Sequence, residues 1–242
     1  MSSRHASKLK LSLKRLREEV LEANLELVRR GLVLYTFGNA SGVAREEGVV
    51  IIKPSGVPYH TMKPEHLVVS DLEGKIVEGE LRPSSDLPTH LVLYKEFPDM
   101  GGVVHTHSLY ATAWAQAGRE IPCFGTTHAD YFHGPVPVTE PLSEQEISGE
   151  YEKNTGEAIA RLFRGRASNT APGVLVANHG PFTWGRDVNA AVHNAVVLES
   201  IAEMALLTIT IRAESEAISR PLHDRHYLRK HGDSASYGQK RE

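Results

Sequence analysis

The sequence holds a single cysteine, Cys123. One thiol excludes an intramolecular disulfide framework and any multi-cysteine zinc site. It fits a reducing, cytoplasmic setting, which is the expected location. A basic excess is also missing: 27 Lys and Arg stand against 30 Asp and Glu, a net charge of −3. Chains that hold polyanions nonspecifically carry the opposite balance, so no nucleic acid is expected as a partner. No apolar run approaches the ~20 residues of a membrane-spanning helix, and no membrane partner is expected. Neither GxxxxGK[ST] nor GxGxxG occurs, which argues against a nucleotide site. No Ser/Gly linker, charge block or internal repeat divides the chain, so residues 1–242 are expected to form a single domain. With 40% hydrophobic and 24% charged residues, that domain has material for a core, which excludes disorder as its main state.

Residues 1–17 are basic, with no acid before Glu18, as in a transit peptide. Yet Leu9, Leu13, Leu16, Val20, Leu25, Val28 and Leu32 recur at helical spacing through this stretch. The pattern predicts an N-terminal amphipathic helix of the mature fold, closed near Gly31. Val49–Ile52 and 67–70 are short β-branched runs, and 101–107 (GGVVHTH) and 173–178 (GVLVAN) read as buried strands ending in loops. Ser85 or Asp86, Ser108 and Asp187 are candidate helix caps, and Ser143 with Glu146 forms a capping box for a helix running towards Phe163. Strands and helices mix without regular βαβ alternation. The fold class expected is therefore α/β, with a largely antiparallel sheet flanked by helices.

Thirteen histidines stand out. His105 and His107 are two apart in an apolar strand, where alternate residues share a face and their Cα atoms sit roughly 6.6 Å apart. A second strand-end histidine, His179, follows the run Val174-Leu175-Val176, and Asp86 offers a carboxylate next to a helix start. Three protein ligands and an open position are the usual arrangement of a catalytic metal. Imidazoles suit Zn2+, and a carboxylate also admits Mn2+. Of the other ten histidines, His5, His60, His66, His90, His193, His223 and His231 are read as solvated or hydrogen-bonded, and His128 and His133 are undecided beside Asp130. Small-residue and hydroxyl-rich segments add a candidate phosphate cradle. Residues 38–42 (GNASG) can expose backbone N–H groups as an anion nest. Lys53, Ser55 and Gly56 follow a strand, and Ser84 and Ser85 precede a helix, whose N-terminus favours an anion.

The segments GNAS (38–41), KPSG (53–56), SSD (84–86), HTH (105–107), GTTHADYF (125–132), NHG (178–180) and HYLRKHG…YGQ (226–239) span almost the whole chain. Together they resemble the class II aldolase family, which shares its fold with the adducin head domain, and within it the L-ribulose-5-phosphate 4-epimerase branch. The resemblance implies a three-layer class II aldolase-like fold and a homotetramer with active sites between subunits. It implies that His105, His107 and His179 hold a divalent metal with Asp86 contributing. Asn39, Lys53, Ser55, Gly56, Ser84 and Ser85 match phosphate-binding positions. Asp130 and Tyr237 match the two catalytic acid/base groups, the latter supplied by a neighbouring subunit, and Thr126 and His226 match supporting positions. The reaction implied is interconversion of L-ribulose 5-phosphate and D-xylulose 5-phosphate, by breaking and remaking the C3–C4 bond. The fuculose-phosphate aldolases of the family carry Glu, their proton-transfer base, where this chain has the shorter Asp86. Three rivals remain open: an aldolase that releases the aldehyde, a sugar-phosphate dehydratase on the same scaffold, and a non-catalytic module like the adducin head.

Overall fold

The computed structural model describes residues 3–165, 170–232 and 235, with side chains from residue 11 onward. Alternation within four-residue strands decides which helices lie on which face. Val50 and Ile52 pack with Leu87, Leu91, Ile159 and Phe163, whereas Ile51 between them packs with Val20, Leu27 and Val188. Val103 and Val104 divide the same way. Both faces of the sheet are therefore apolar and both must be covered.

The strands are β1 (Asn39–Ala44), β2 (Val49–Ile52), β3 (Val68–Asp71), β4 (Ile76–Glu78), β5 (Gly102–His105), β6 (Gly173–Val176) and β7 (Gly180–Gly185). They form one sheet in the order β4-β3-β2-β1-β5-β7-β6, each neighbouring pair antiparallel. On one face lie α1 (Ser3–Arg29), α3 (Leu109–Gln116) and α7 (Val188–Ile211); on the other, α2 (Leu87–Glu96) and α6 (Tyr151–Phe163). The short α4 (Thr126–Ala129) and α5 (Glu144–Ser148) and the C-terminal α8 (Arg220–His231) complete the described elements. This is the three-layer α/β arrangement with an antiparallel sheet that was expected.

Several expectations are corrected. GNASG (38–42) is not a loop nest: residues 39–42 are strand β1 in the middle of the sheet, their backbone paired with β2 and β5. The strand carrying His105 ends there, so His107 lies beyond β5 and does not share its face by alternation. The capping box of Ser143 and Glu146 exists, but its helix stops at Ser148 and a second begins at Tyr151. Asp86 and Ser108 stand at helix N-termini without capping through their own side chains. For α3 the cap comes from α7: the Glu199 carboxylate accepts from Ser108 Oγ (2.7 Å), Tyr110 N (2.8 Å) and Ala111 N (2.9 Å). Asp187 does cap α7, accepting from Ala190 N at 2.7 Å. Against the sequence reading, α7 has the length and mean hydropathy (1.5) to cross a membrane. Its buried residues, Ala191, Val192, Leu198 and Ala202 among them, instead pack in the cores of this fold.

Sheet and helix approach closely at Gly102, where an added Cβ would stand 2.3 Å from Val188 Cα. Both atoms belong to backbone, so no rotamer change relieves the contact. Gly102→Ala is expected to lower stability by about 1–3 kcal/mol, as overpacking does, read as a lower thermal midpoint.

Candidate active site

Three layers meet where β5 ends. His105 has the parity of Val103, so its ring lies on the α2/α6 face, stacked on Phe182 at 4.1 Å between centroids. His107 follows two residues past the strand. His179 sits in the β6–β7 hairpin, whose turn closes by His179 N donating to Val176 O (3.0 Å). The turn needs a residue in the left-handed region, and Asn178 takes it at φ 60°, a conformation asparagine tolerates well.

The three rings converge with centroids 4.7, 4.8 and 5.1 Å apart. His105 Nδ1 is 3.0 Å from Pro181 O, which can only accept, so the proton is on Nδ1. Nε2 of His105 then carries the lone pair, and it faces His107 Nε2 at 3.0 Å. Burial pushes His105 down to about 3 despite the Asp86 carboxylate beside it. It also lowers His107 and His179. Three neutral imidazoles aimed at one point suit a divalent cation, with a backbone carbonyl fixing the tautomer of the innermost ring. Asp86 stands next to them. Burial pushes its carboxyl up, but His105, His90, the Asn39 amide and His179 outweigh this and hold it below the usual carboxylate range. Its Oδ2 accepts from Asn39 Nδ2 at 2.6 Å, and the same amide donates to Ser84 Oγ at 3.0 Å.

A cavity of about 380 Å³ opens in front of these residues. Its walls include Asn39, Lys53, Ser55, Gly56, Ser84, Ser85, Asp86, His105, His107 and His179, so the structure brings together every residue expected for the metal and the phosphate. Residues 53–56 and 82–85 run side by side, with Ser84 N donating to Lys53 O and Ser55 N to Arg82 O, both at 2.9 Å. Lys53 is buried; its ammonium lies 4.9 Å from the centre of the Tyr59 ring and donates to Pro54 O at 3.1 Å. Burial pulls its pKa down to about 8.

Asp130, Thr126 and His226 do not line this cavity. Thr126 opens α4, and Asp130 at its end faces α8. Asp130 Oδ1 accepts from His226 Nδ1 (3.0 Å) and from Arg229, whose Nη2 also reaches Oδ2 at 2.8 Å. Lys230 Nζ is 3.4 Å from Oδ2. Burial raises the Asp130 pKa, but Arg229, His226 and Lys230 win, and the carboxyl is held below its usual range. Tyr237 lies outside the described residues.

Sequence reasoning passed over Tyr151 and Glu152, which line the cavity. Tyr151 Oη stands 3.4 Å from His179 Nδ1. The signal was the Gly149 break: residues read as mid-helix are the first turn of α6, pointing at the site. Arg229 and Lys230 were missed as partners of Asp130. Among the histidines set aside, His90 is fully buried and bonds Ser41 Oγ at 2.7 Å through Nδ1.

Comparison with known proteins follows the same lines. A family model described as Class II Aldolase and Adducin N-terminal domain matches residues 18–206. Among solved structures, an L-fuculose 1-phosphate aldolase is 27% identical with a TM-score of 0.75, covering 88% of this chain and 94% of its own. YgbL from Klebsiella pneumoniae is 25% identical with a TM-score of 0.69, over 88% of this chain and 98% of its own. An L-fuculose 1-phosphate aldolase from Glaciozyma antarctica PI12, at 18% identity and TM-score 0.74 over 93% and 84%, shares the fold.

Proposed function

The chain belongs to the class II aldolase and adducin family, and from that membership we propose that it is a metal-dependent L-ribulose-5-phosphate 4-epimerase. A divalent cation, Zn2+ or Mn2+ by its donor set, held by His105, His107 and His179 beside Asp86 would supply Lewis-acid stabilisation of charge developing on the substrate ketone oxygen.

The observation that carries the epimerase reading is the state of Asp86. An aldolase must move a proton to or from the carbon that bears the enediolate charge; an epimerase that re-forms the bond need not. Asp86 is short, and its Oδ2 is taken by the Asn39 amide at 2.6 Å. A carboxylate so engaged is a charge partner for the imidazoles and a poor carbon base. The fragment carrying C4 and C5 keeps its phosphate. Lys53, Ser55, Gly56, Ser84 and Ser85 are suited to hold that phosphate while the aldehyde turns its other face to C3. Asp130 and Tyr237 would move the C4 hydroxyl proton on opposite faces. Asp130 and His226 lie apart from the imidazole cavity within one chain, which supports a homotetramer whose sites are completed by a neighbouring subunit.

The test is incubation of the metal-loaded protein with L-ribulose 5-phosphate. D-xylulose 5-phosphate should form without build-up of glycolaldehyde phosphate; steady release of glycolaldehyde phosphate and dihydroxyacetone would make the protein an aldolase. A second expectation concerns the cradle. Lys53→Met should raise KM about 10- to 100-fold, the worth of a charge-assisted contact. The Lys53 charge in the free enzyme is lost as pH rises through about 8. Wild-type kcat/KM should therefore fall across that pH, and this limb should vanish in the variant.

A further inference from the structure

Away from the imidazole cavity, a second group of donors converges where the chain leaving α4 meets the first turn of α8. Asp224 Oδ1 stands 3.4 Å from His133 Nε2 and 3.4 Å from His223 Nδ1. The donor atoms of the three residues all lie within 4.8 Å of one another. Ligands on a tetrahedral ion at about 2.1 Å stand about 3.4 Å apart, so two of the three separations already have the required value. A cavity of about 350 Å³ opens on these residues, and Cys123 lies in its wall.

We propose that His133, His223 and Asp224 form a second metal site, for Zn2+, separate from the three-histidine centre. Two imidazoles and one carboxylate, with room for water, are a donor set for a borderline ion rather than for Ca2+ or Mg2+. His223 is the anchor. It is buried, and its Nε2 lies 3.0 Å from Gly134 N and 3.1 Å from Phe132 O. In one tautomer Nε2 accepts from Gly134, and Nδ1–H points to Asp224. In the other, Nε2–H donates to the Phe132 carbonyl and the Nδ1 lone pair faces the site. A backbone carbonyl behind the ring is the usual support of a metal-bound histidine. His133 is exposed and its ring lies 5.1 Å from that of His223, close enough to swing onto the same ion. The ion would tie the loop after α4 to the helix that presents His226, Arg229 and Lys230 to Asp130.

The inference does not depend on the proposed reaction. Untagged, chelator-stripped protein is titrated with Zn2+, and bound equivalents are counted for the wild type, His133→Ala, His107→Ala and the double variant. His133→Ala should bind one equivalent fewer than the wild type, and the double variant one fewer than His107→Ala. Asp224→Asn, which keeps the shape of the side chain, should lose the same equivalent if folding of His133→Ala is impaired. Zn2+ should also slow hydrogen exchange across residues 220–231 in His107→Ala and not in the double variant. Unchanged stoichiometry on replacing His133 and Asp224 overturns the proposal. Failure of the imidazole cavity to hold metal looks different: His107→Ala would then match the wild type, while His133→Ala would still lose its equivalent.

Discussion

Replacing His107 with alanine should cost the protein about 10³-fold or more in turnover, the several kcal/mol that a Lewis acid contributes to a developing negative charge. The expectation rests on geometry. His107 Nε2 faces His105 Nε2 at 3.0 Å, and its removal leaves two imidazoles where a catalytic metal ordinarily takes three protein ligands. His107 is exposed and lies beyond the end of β5. Unlike His105, whose ring stacks on Phe182 in the interior, it can be truncated without opening a hole in the core. The variant should therefore unfold at close to the wild-type temperature while its metal affinity collapses. Equilibrium dialysis at matched free metal, together with turnover, reads both quantities. Wild-type metal affinity in this variant would remove His107 from the ligand set.

Asp130→Asn should behave in the opposite way, keeping its metal and losing turnover by about 10²–10⁴-fold, the range for removal of a general acid or base. Asp130 does not line the metal cavity, so the cavity ligands are untouched. The substitution also leaves Arg229, His226 and Lys230 facing an amide in place of a carboxylate. This has a signature in acid. The native carboxyl is held below its usual range, so the stability it contributes is fully present above the unfolded value of about 3.9 and is lost as pH falls through the lower native value. Urea midpoints should therefore fall less steeply with acid in Asp130→Asn than in the wild type. Equal steepness, or normal turnover, would count against the role given to this residue.

The cavity was legible because metal and phosphate chemistry demand particular residue types. Histidines at 105, 107 and 179, with Lys53, Ser84 and Asp86, declare themselves without coordinates. The convergence of His107, however, came from the chain leaving the strand and not from strand alternation. What stayed hidden was hidden by tertiary contacts. Residues 39–42 have the composition of a turn, yet they are central strand, because α1 lies directly on them. A Cβ at Gly42 would stand 2.8 Å from Leu16 Cδ1, and Ala40 is fully buried. Such small residues suit close packing and defeat β-propensity. Helix α8 escaped for another reason. Its one buried residue is His223, so no apolar stripe marks it. Charged contacts to Asp130 hold it, and these join positions about a hundred residues apart in the chain. Asp224, which the sequence did not single out, and the ion-pair partners of Asp130 show themselves only through that docking.

The bond from Glu199 to the start of α3 sets a direction. That helix opens just after His107, and its first amides would otherwise be a natural landing place for an anion. They are already engaged by a side chain that carries negative charge of its own. An anion therefore finds no free amide at that helix, and among the described residues the one Lys or Arg in the wall of the imidazole cavity is Lys53.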